Sequence, residues 1–295
     1  MKSVEIFLKE KKIVYKKDEF MAKYTTLKIG GKADLIVFPD EDSIFDLVGV
    51  IKNEKIPYYV IGGGSNLLIK DEGYRGIIIN TRKMNRINLE GFTVKTSAGV
   101  MLPRFIAFVL KRNLSGVEGL IGIPGTVGGA IMGNAGSFGY EISDCLEEVE
   151  IITDKLEIKI LNKKDINFKY RYSDISKDWI IKSAKFILME DDGKAIRRVK
   201  DFFSKKRQTQ PLGKYSAGCV FKNPKGYSAG YLIEKAGLKG FRVGDILVSP
   251  IHANYFINVG KGNSDDFLKL MDIVRERVLK LFSIELEPEI KILEV

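Results

Sequence analysis

Apolar positions fall into two periods along this chain, and the alternation between them sets out the elements. After a charged, helix-like opening, residues 35–38 form a short apolar strand stopped by Pro39. Ile44, Leu47, Val48 and Ile51 then recur at i, i+3, i+4 and i+7, the signature of a helix with one buried face. Pro57 precedes a strand at 58–61, which runs directly into Gly62-Gly63-Gly64-Ser65-Asn66, and 76–80 reads as a further strand. A strand at 92–97 leads to a helix whose face is Leu102, Phe105, Ile106, Val109 and Leu110, with Pro103 in its first turn, where proline is tolerated. Strands at 148–152, 156–161 and 179–188 follow, then a helix at 194–208 with Ile196, Val199, Phe202 and Phe203. Gln210-Pro211 marks a boundary. Beyond it lie a helix at 229–236 ended by Gly237 and strands at 243–248 and 255–259. The strongest helix starts at Ser264 as N-cap, with Asp265 and Asp266 in its first turn and Phe267, Leu270, Met271, Val274, Val278, Leu281 and Phe282 on its apolar face. A last strand occupies 287–292. No internal repeat is present.

One stretch breaks both periods. From Gly116 to Gly139 glycine recurs mostly every third residue, in GVEGLIGIPGTVGGAIMGNAGSFG. Glycine costs more backbone entropy to order than any other residue and adds nothing to a core. A linker would be polar, but this run carries Val117, Leu120, Ile121, Ile123, Val127, Ile131 and Met132. It therefore reads as backbone wrapped closely round a ligand, its amides turned to anionic or carbonyl oxygens. The shorter loop at 62–66 has the same character. It is not a dinucleotide fingerprint, because Leu67 stands where GxGxxG needs glycine, and no GK[ST] follows to make a P-loop.

Composition narrows the chemistry. At 295 residues the chain is long enough for two or three domains, and 45% hydrophobic content suits a globular protein rather than a disordered one. Cys145 and Cys219 are too few for a disulfide scaffold, and with His252 as the one histidine no zinc cluster suggests itself. Acid–base work falls to carboxylate, thiol, hydroxyl, lysine or arginine. The N-terminus is charged throughout, unlike a signal peptide, and no apolar run approaches the ~18 residues of a membrane span. A cytoplasmic location without membrane insertion is expected. The net charge of +10 comes from Lys and Arg spread among Asp and Glu. It suits small polyanions such as dinucleotides or nucleotide sugars better than nucleic acid, which asks for clustered basic residues with aromatics between them.

Taken together, YTTLKIGG at 24–31, GGGSNLL at 62–68, the glycine run through 136, YRYS at 170–173, SAGCVFKNP at 216–224, HANYFIN at 252–258 and EPEIKI at 287–292 resemble the UDP-N-acetylenolpyruvoylglucosamine reductase family closely. The resemblance covers nearly the whole chain. It implies an α+β fold with two FAD-binding subdomains of the vanillyl-alcohol-oxidase type and a C-terminal α+β substrate domain. The expected division is 1–82, joined by the strand at 287–295, then 83–208, then 209–286. It implies a flavoprotein of peptidoglycan precursor synthesis, in which NADPH reduces FAD and the hydride passes from flavin N5 to the enolpyruvyl group of UDP-N-acetylglucosamine enolpyruvate, giving UDP-N-acetylmuramate. No residues remain for the tyrosine-bearing insertion of one subgroup, so the chain falls with the shorter one. A monomer is expected.

The same resemblance assigns residues. Gly62, Gly63, Gly64, Ser65, Asn66 and Leu67, with Gly125, Thr126, Val127, Gly128, Gly129 and Ala130, would hold FAD. Arg171, always charged and forked for carboxylates, would stabilise the enolate-like charge that hydride addition builds. Glu289, the second glutamate of EPE, would have to hold a proton or share one through a donor beside that charge. Cys219 stands where the family most often has serine, as proton donor; a thiol (pKa ~8.5) gives up its proton far more readily than an aliphatic hydroxyl. Apart from the resemblance, Lys222 and Asn223 are expected to contact the substrate from their place next to Cys219, and Arg207 and Arg242 are expected at its diphosphate. The rival reading is another FAD oxidoreductase of the same fold, oxidising an alcohol or hydroxy acid, which has no need of Arg171, Cys219 and Glu289 as a set. A flavin- or nucleic-acid-binding module without turnover is a further alternative.

Overall fold

The computed structural model describes residues 1–294. In chain order it contains α1 (Lys2–Glu10), β1 (Val14–Phe20), β2 (Lys32–Phe38), α2 (Ile44–Asn53), β3 (Tyr58–Ile61), β4 (Leu67–Ile69), β5 (Tyr74–Asn80), β6 (Ile87–Glu90), β7 (Thr93–Ser97), α3 (Leu102–Leu110) and β8 (Leu114–Ser115). Next come α4 (Val127–Met132), β9 (Gly136–Ser137), β10 (Tyr140–Glu141), β11 (Leu146–Ile152), β12 (Ile158–Asn162), β13 (Ile180–Ile187), β14 (Met189–Glu190) and α5 (Ala195–Thr209). The last third holds α6 (Ala229–Lys235), β15 (Arg242–Val243), β16 (Ile246–Val248), β17 (Phe256–Asn258), α7 (Ser264–Phe282) and β18 (Lys291–Leu293). The class is α+β, and the chain divides into two compact units.

Unit 1 comprises 1–17, 35–63 and 76–204. Its first sheet has the order β1-β2-β5-β3, with β3 and β5 parallel and Tyr58 opposite Ile77. The helical period read at Ile44, Leu47, Val48 and Ile51 is the buried face of α2, packed with Val4, Leu8, Leu35, Val37, Ile77 and Ile79. Each such side chain contributes about 1.5–3 kcal/mol when taken from water. The second sheet is antiparallel throughout, in the order β12-β11-β13-β7-β6. Its core centres on Phe105 of α3 against Phe186 of β13, ring centroids 4.9 Å apart, with Val94, Val149 and Val127 around them.

Unit 2 comprises 18–34, 64–75 and the chain from Lys205 on. Here β15-β16-β17 form an antiparallel sheet under α7. Phe256 packs between Phe221 and Phe267, with centroids 6.1 and 5.4 Å away. Leu27, Ile29 and Leu68, read from sequence as part of a first domain at 1–82, bury in this core instead. Strand β4 pairs in parallel with β18, Leu67 opposite Lys291.

Four local readings change. Asn263, not Ser264, caps α7, its Oδ1 accepting the Asp266 N–H at 2.7 Å. The Ser264 hydroxyl donates to Asp71 Oδ2 at 2.9 Å instead, which the first-turn pattern alone does not reveal. The strand expected at 243–248 is a hairpin of β15 and β16, because Gly244 turns at φ +53°. The strand expected at 287–292 begins only at Lys291. In α5, Ile196 and Phe203 are exposed (54% and 41%) rather than buried on the expected face.

Candidate active site

The two glycine loops are shaped by close approach. In unit 1 a Cβ on Gly62 would lie 2.1 Å from Thr126 Oγ1, and one on Gly63 2.7 Å from the Gly125 Cα. A side chain at Gly63 would require backbone to move, and one at Gly62 would displace the Thr126 side chain. Gly125 has φ +113°, a conformation L side chains rarely adopt. Thr126 caps α4, its Oγ1 accepting the Gly129 N–H at 3.3 Å. The Val127 and Gly128 amides donate to Val100 and Ala98 carbonyls at 2.9 and 2.8 Å, which fixes the loop on the segment between β7 and α3. Val127 and Ala130 point into the core, so the run can offer a ligand backbone rather than side chains there. Among the described residues the amides of Gly63 and Thr126 donate to no protein carbonyl or side chain. Thr126 is nearly inaccessible to solvent. Donors placed in this way suit the phosphate or carbonyl oxygens of FAD.

Gly64 begins the unit 2 portion of the first loop, at φ +62°, its carbonyl accepting the Thr26 N–H at 3.0 Å. Asn66 is engaged elsewhere: its Nδ2 donates to the Glu289 carbonyl at 3.1 Å, and its carbonyl accepts the Lys291 N–H at 3.1 Å. Leu67 is buried in β4. Asn66 therefore fixes the main chain at Glu289.

Arg171 occupies the second position of a two-residue turn closed by Lys169 and Tyr172, whose N–H and C=O groups exchange two bonds of 3.0 Å. Its φ is +56°, a position that glycine or asparagine normally takes and that costs an arginine about 1–2 kcal/mol. The Tyr170 ring lies 5.4 Å from the guanidinium carbon.

The segments that carry Cys219 and Glu289 pair along their backbones within unit 2. Cys219 bridges Tyr255 on one side. The next residue, Val220, accepts the Glu289 N–H at 2.8 Å, and Phe221 bridges Pro288. Asn254 locks this segment at both polar atoms: Oδ1 accepts the Phe221 N–H at 3.0 Å and Nδ2 donates to the Phe221 carbonyl at 2.7 Å. Thr26 Oγ1 donates to the Ser216 carbonyl at 2.7 Å, just upstream. His252 accepts the Asn254 N–H at Nδ1 (3.3 Å), which leaves its proton on Nε2, and burial lowers its pKa. Residue type alone does not mark Asn254 or Thr26; they stand within 252–258 and 24–31, and their partners lie far along the chain.

The substrate-binding candidates separate. Lys222 pairs with Glu287, two residues from Glu289. Asn223 Oδ1 accepts the Ala229 N–H at 3.0 Å and so ties the segment to α6. Arg207 is exposed on α5. Arg242 pairs with Asp245 in the β15–β16 hairpin. Cys145 sits against the second sheet's core, where burial pushes its thiol up to about 12. Among the described residues no group of three His, Cys, Asp or Glu side chains could hold a metal ion, and no helix is long and apolar enough to cross a membrane.

Two family models match: an FAD binding domain over residues 33–161 and the UDP-N-acetylenolpyruvoylglucosamine reductase C-terminal domain over 210–293. The UDP-N-acetylenolpyruvoylglucosamine reductase of Caldanaerobacter subterraneus subsp. tengcongensis is 38% identical over 288 residues, 97% of this chain and 95% of its own. The chain belongs to the UDP-N-acetylenolpyruvoylglucosamine reductase family. Another member, from Carboxydothermus hydrogenoformans, is 42% identical over 94% of this chain and 93% of its own. The crystal structure of the family's Thermus caldophilus reductase aligns with a TM-score of 0.82 at 33% identity, over 96% of this chain and 99% of that one. Physcomitrella patens BBE-like 1 aligns at a TM-score of 0.51 and 15% identity over 93% of this chain and 60% of its own, a likeness of fold alone. The reductase family's FAD-binding portion thus contains both glycine loops, and its C-terminal domain contains Cys219 and Glu289.

Proposed function

We propose that this chain reduces the enolpyruvyl group of UDP-N-acetylglucosamine enolpyruvate to UDP-N-acetylmuramate in the cytoplasm, with NADPH as reductant. The observation that carries the reading is the pairing of Cys219 and Glu289 on adjacent hydrogen-bonded segments, in a chain with a glycine cradle suited to FAD. Bound FAD supplies a relay for hydride from NADPH to the substrate. Gly62–Gly64, Ser65 and 125–130 hold the cofactor, chiefly through backbone amides.

Hydride arriving at the terminal enolpyruvyl carbon leaves an electron pair on the neighbouring carbon, shared with its carboxylate. The Arg171 guanidinium stabilises that charge. The Cys219 Sγ–H transfers its proton to the neighbouring carbon, and the thiolate is reprotonated from solvent before the next turnover. Glu289 lies beside this step as a hydrogen-bonding partner, holding a proton or sharing one through a donor so that it does not repel the developing charge. Lys222 and Asn223, next along the chain from Cys219, meet the substrate, with Arg207, exposed on α5, as a further anion contact; Arg242 is already paired with Asp245. The enzyme acts as a monomer.

The test is a steady-state assay on the FAD-loaded protein. NADPH consumption that depends on the enolpyruvyl nucleotide sugar is expected. Electron transfer from an alcohol or hydroxy acid, with no NADPH oxidation when the nucleotide sugar is added, overturns the reading.

A further inference from the structure

Asn134 sits in the glycine run, four residues outside the segment assigned to the cofactor, and the mechanism above gives it no role. It is completely buried and has φ +40°. Its Nδ2 donates to two acceptors at once: Glu141 Oε2 at 2.7 Å and the Lys169 carbonyl at 3.1 Å. The Lys169 carbonyl has no proton to give, so the amide can face it only with its NH2 group. Among the described residues its Oδ1 has no partner. The side chain is thus held by what it donates, and one of its two acceptors is the first residue of the Arg171 turn.

That turn has a second tie to the same region. Ser173 Oγ donates to the Met132 carbonyl, at the end of α4, at 3.0 Å. The turn is therefore fastened at both ends, at Lys169 and at Ser173, to the stretch that continues the cofactor loop. Between the fastenings, Arg171 is kept at φ +56°. A strained backbone of this kind persists only where its surroundings over-determine it.

We infer that Asn134 is a positioning residue for Arg171: its carboxamide clamps the Lys169 carbonyl and holds the strained turn that presents the guanidinium to the substrate carboxylate. The inference rests on the proposed role of Arg171. Asn134 does not touch the reacting atoms. A displacement of the guanidinium by about 1 Å is enough to slow chemistry on the order of a hundredfold.

Two variants test this. Asn134→Asp keeps the shape but places a carboxylate oxygen against the Lys169 carbonyl and Glu141. Asn134→Gly accepts the positive φ and removes the clamp. The first readout needs no cofactor: hydrogen exchange, by mass spectrometry, of the Tyr172 amide that bonds to the Lys169 carbonyl. Both variants should exchange at least tenfold faster there, with α2 and α7 unchanged. The second is a split between half-reactions in the FAD-loaded protein. Flavin reduction by NADPH should stay within twofold of wild type, while reoxidation by the enolpyruvyl nucleotide sugar slows ten- to a hundredfold. In an Arg171→Lys background, Asn134→Gly should slow reoxidation by less than twofold more, because the group it positions has been replaced.

Wild-type exchange at Tyr172 in either folded variant overturns the clamp. Faster exchange with unchanged reoxidation overturns its link to chemistry. If Arg171→Ala itself leaves reoxidation untouched, the proposed role of Arg171 falls instead, and the exchange experiment still decides whether Asn134 holds the turn.

Discussion

At the scale of single residues, the departure at position 219 gives the sharpest expectation. Cys219→Ala should leave flavin reduction by NADPH intact and reduce the product-forming half-reaction by on the order of a hundredfold or more, the usual weight of a general acid. Cys219→Ser should retain substantial activity. Stopped-flow flavin absorbance separates the two half-reactions; normal turnover in Cys219→Ala would pass the proton donation to another group. His252 carries a pH expectation. Burial lowers its pKa below the unfolded ~6.5, with the Lys239 charge adding to the effect and Glu234 opposing it. The unfolded chain thus binds the proton more readily. The stability associated with neutral His252 is present above about pH 6.5 and is lost as pH falls from there through the lower folded value. His252→Gln should flatten this part of the stability curve, which urea midpoints between about pH 5 and 7 would show.

At the scale of elements, the readable parts were those with a local cause. The face of α2 and that of α7 were visible because a 3.6-residue period buries one side, whatever the partner. Strand β1 went unread because VYKKDEF has charges in place of alternation; its burial is mostly exposed and its ladder, not its side chains, makes it a strand. Helix α4 was hidden by glycine, the residue that disfavours helices. The glycine loops read as a ligand cradle, but sequence alone does not tell which glycines serve close approach. Gly63 faces Gly125 at a distance that leaves no room for a methyl group. Gly63→Ala should therefore force the loops apart and abolish or greatly weaken FAD retention, seen as loss of flavin absorbance after gel filtration. Gly139, with open space around its Cβ position and φ +80°, should instead show only the modest stability loss of a strained turn when changed to Ala. For α7, replacing the cap by Asn263→Ala should cost about 1 kcal/mol in urea unfolding, whereas the alternative cap, Ser264, is engaged with Asp71.

At the scale of the whole molecule, the three apolar cores carry most of what the order of motifs implied: one around α2, one around Phe105 and Phe186, one around α7. What sequence order did not carry is the placement of 18–34 and 64–75 with the C-terminal unit. These segments bring Thr26, Gly64 and Asn66 to Ser216 and Glu289, and no period in the chain encodes a bond between residues more than two hundred positions apart, as Asn66 and Glu289 are. Net charge is the one whole-chain property that composition fixes directly, 48 basic less 38 acidic residues giving +10. Many of these charges already have partners: Arg86, Arg198 and Arg242 each pair with carboxylates. The surplus gives the chain a positive field that attracts anions. Such a field raises the encounter rate with a nucleoside diphosphate sugar and is screened over about 10 Å at 0.1 M salt. Raising ionic strength from about 0.05 to 0.5 M should therefore lower kcat/KM for the enolpyruvyl nucleotide sugar several-fold while leaving kcat nearly unchanged, because the charges at issue guide binding and take no part in proton or hydride transfer. A salt-independent kcat/KM would mean that recognition rests on close contacts such as those available to Lys222 and Asn223, and that the surplus charge serves solubility alone.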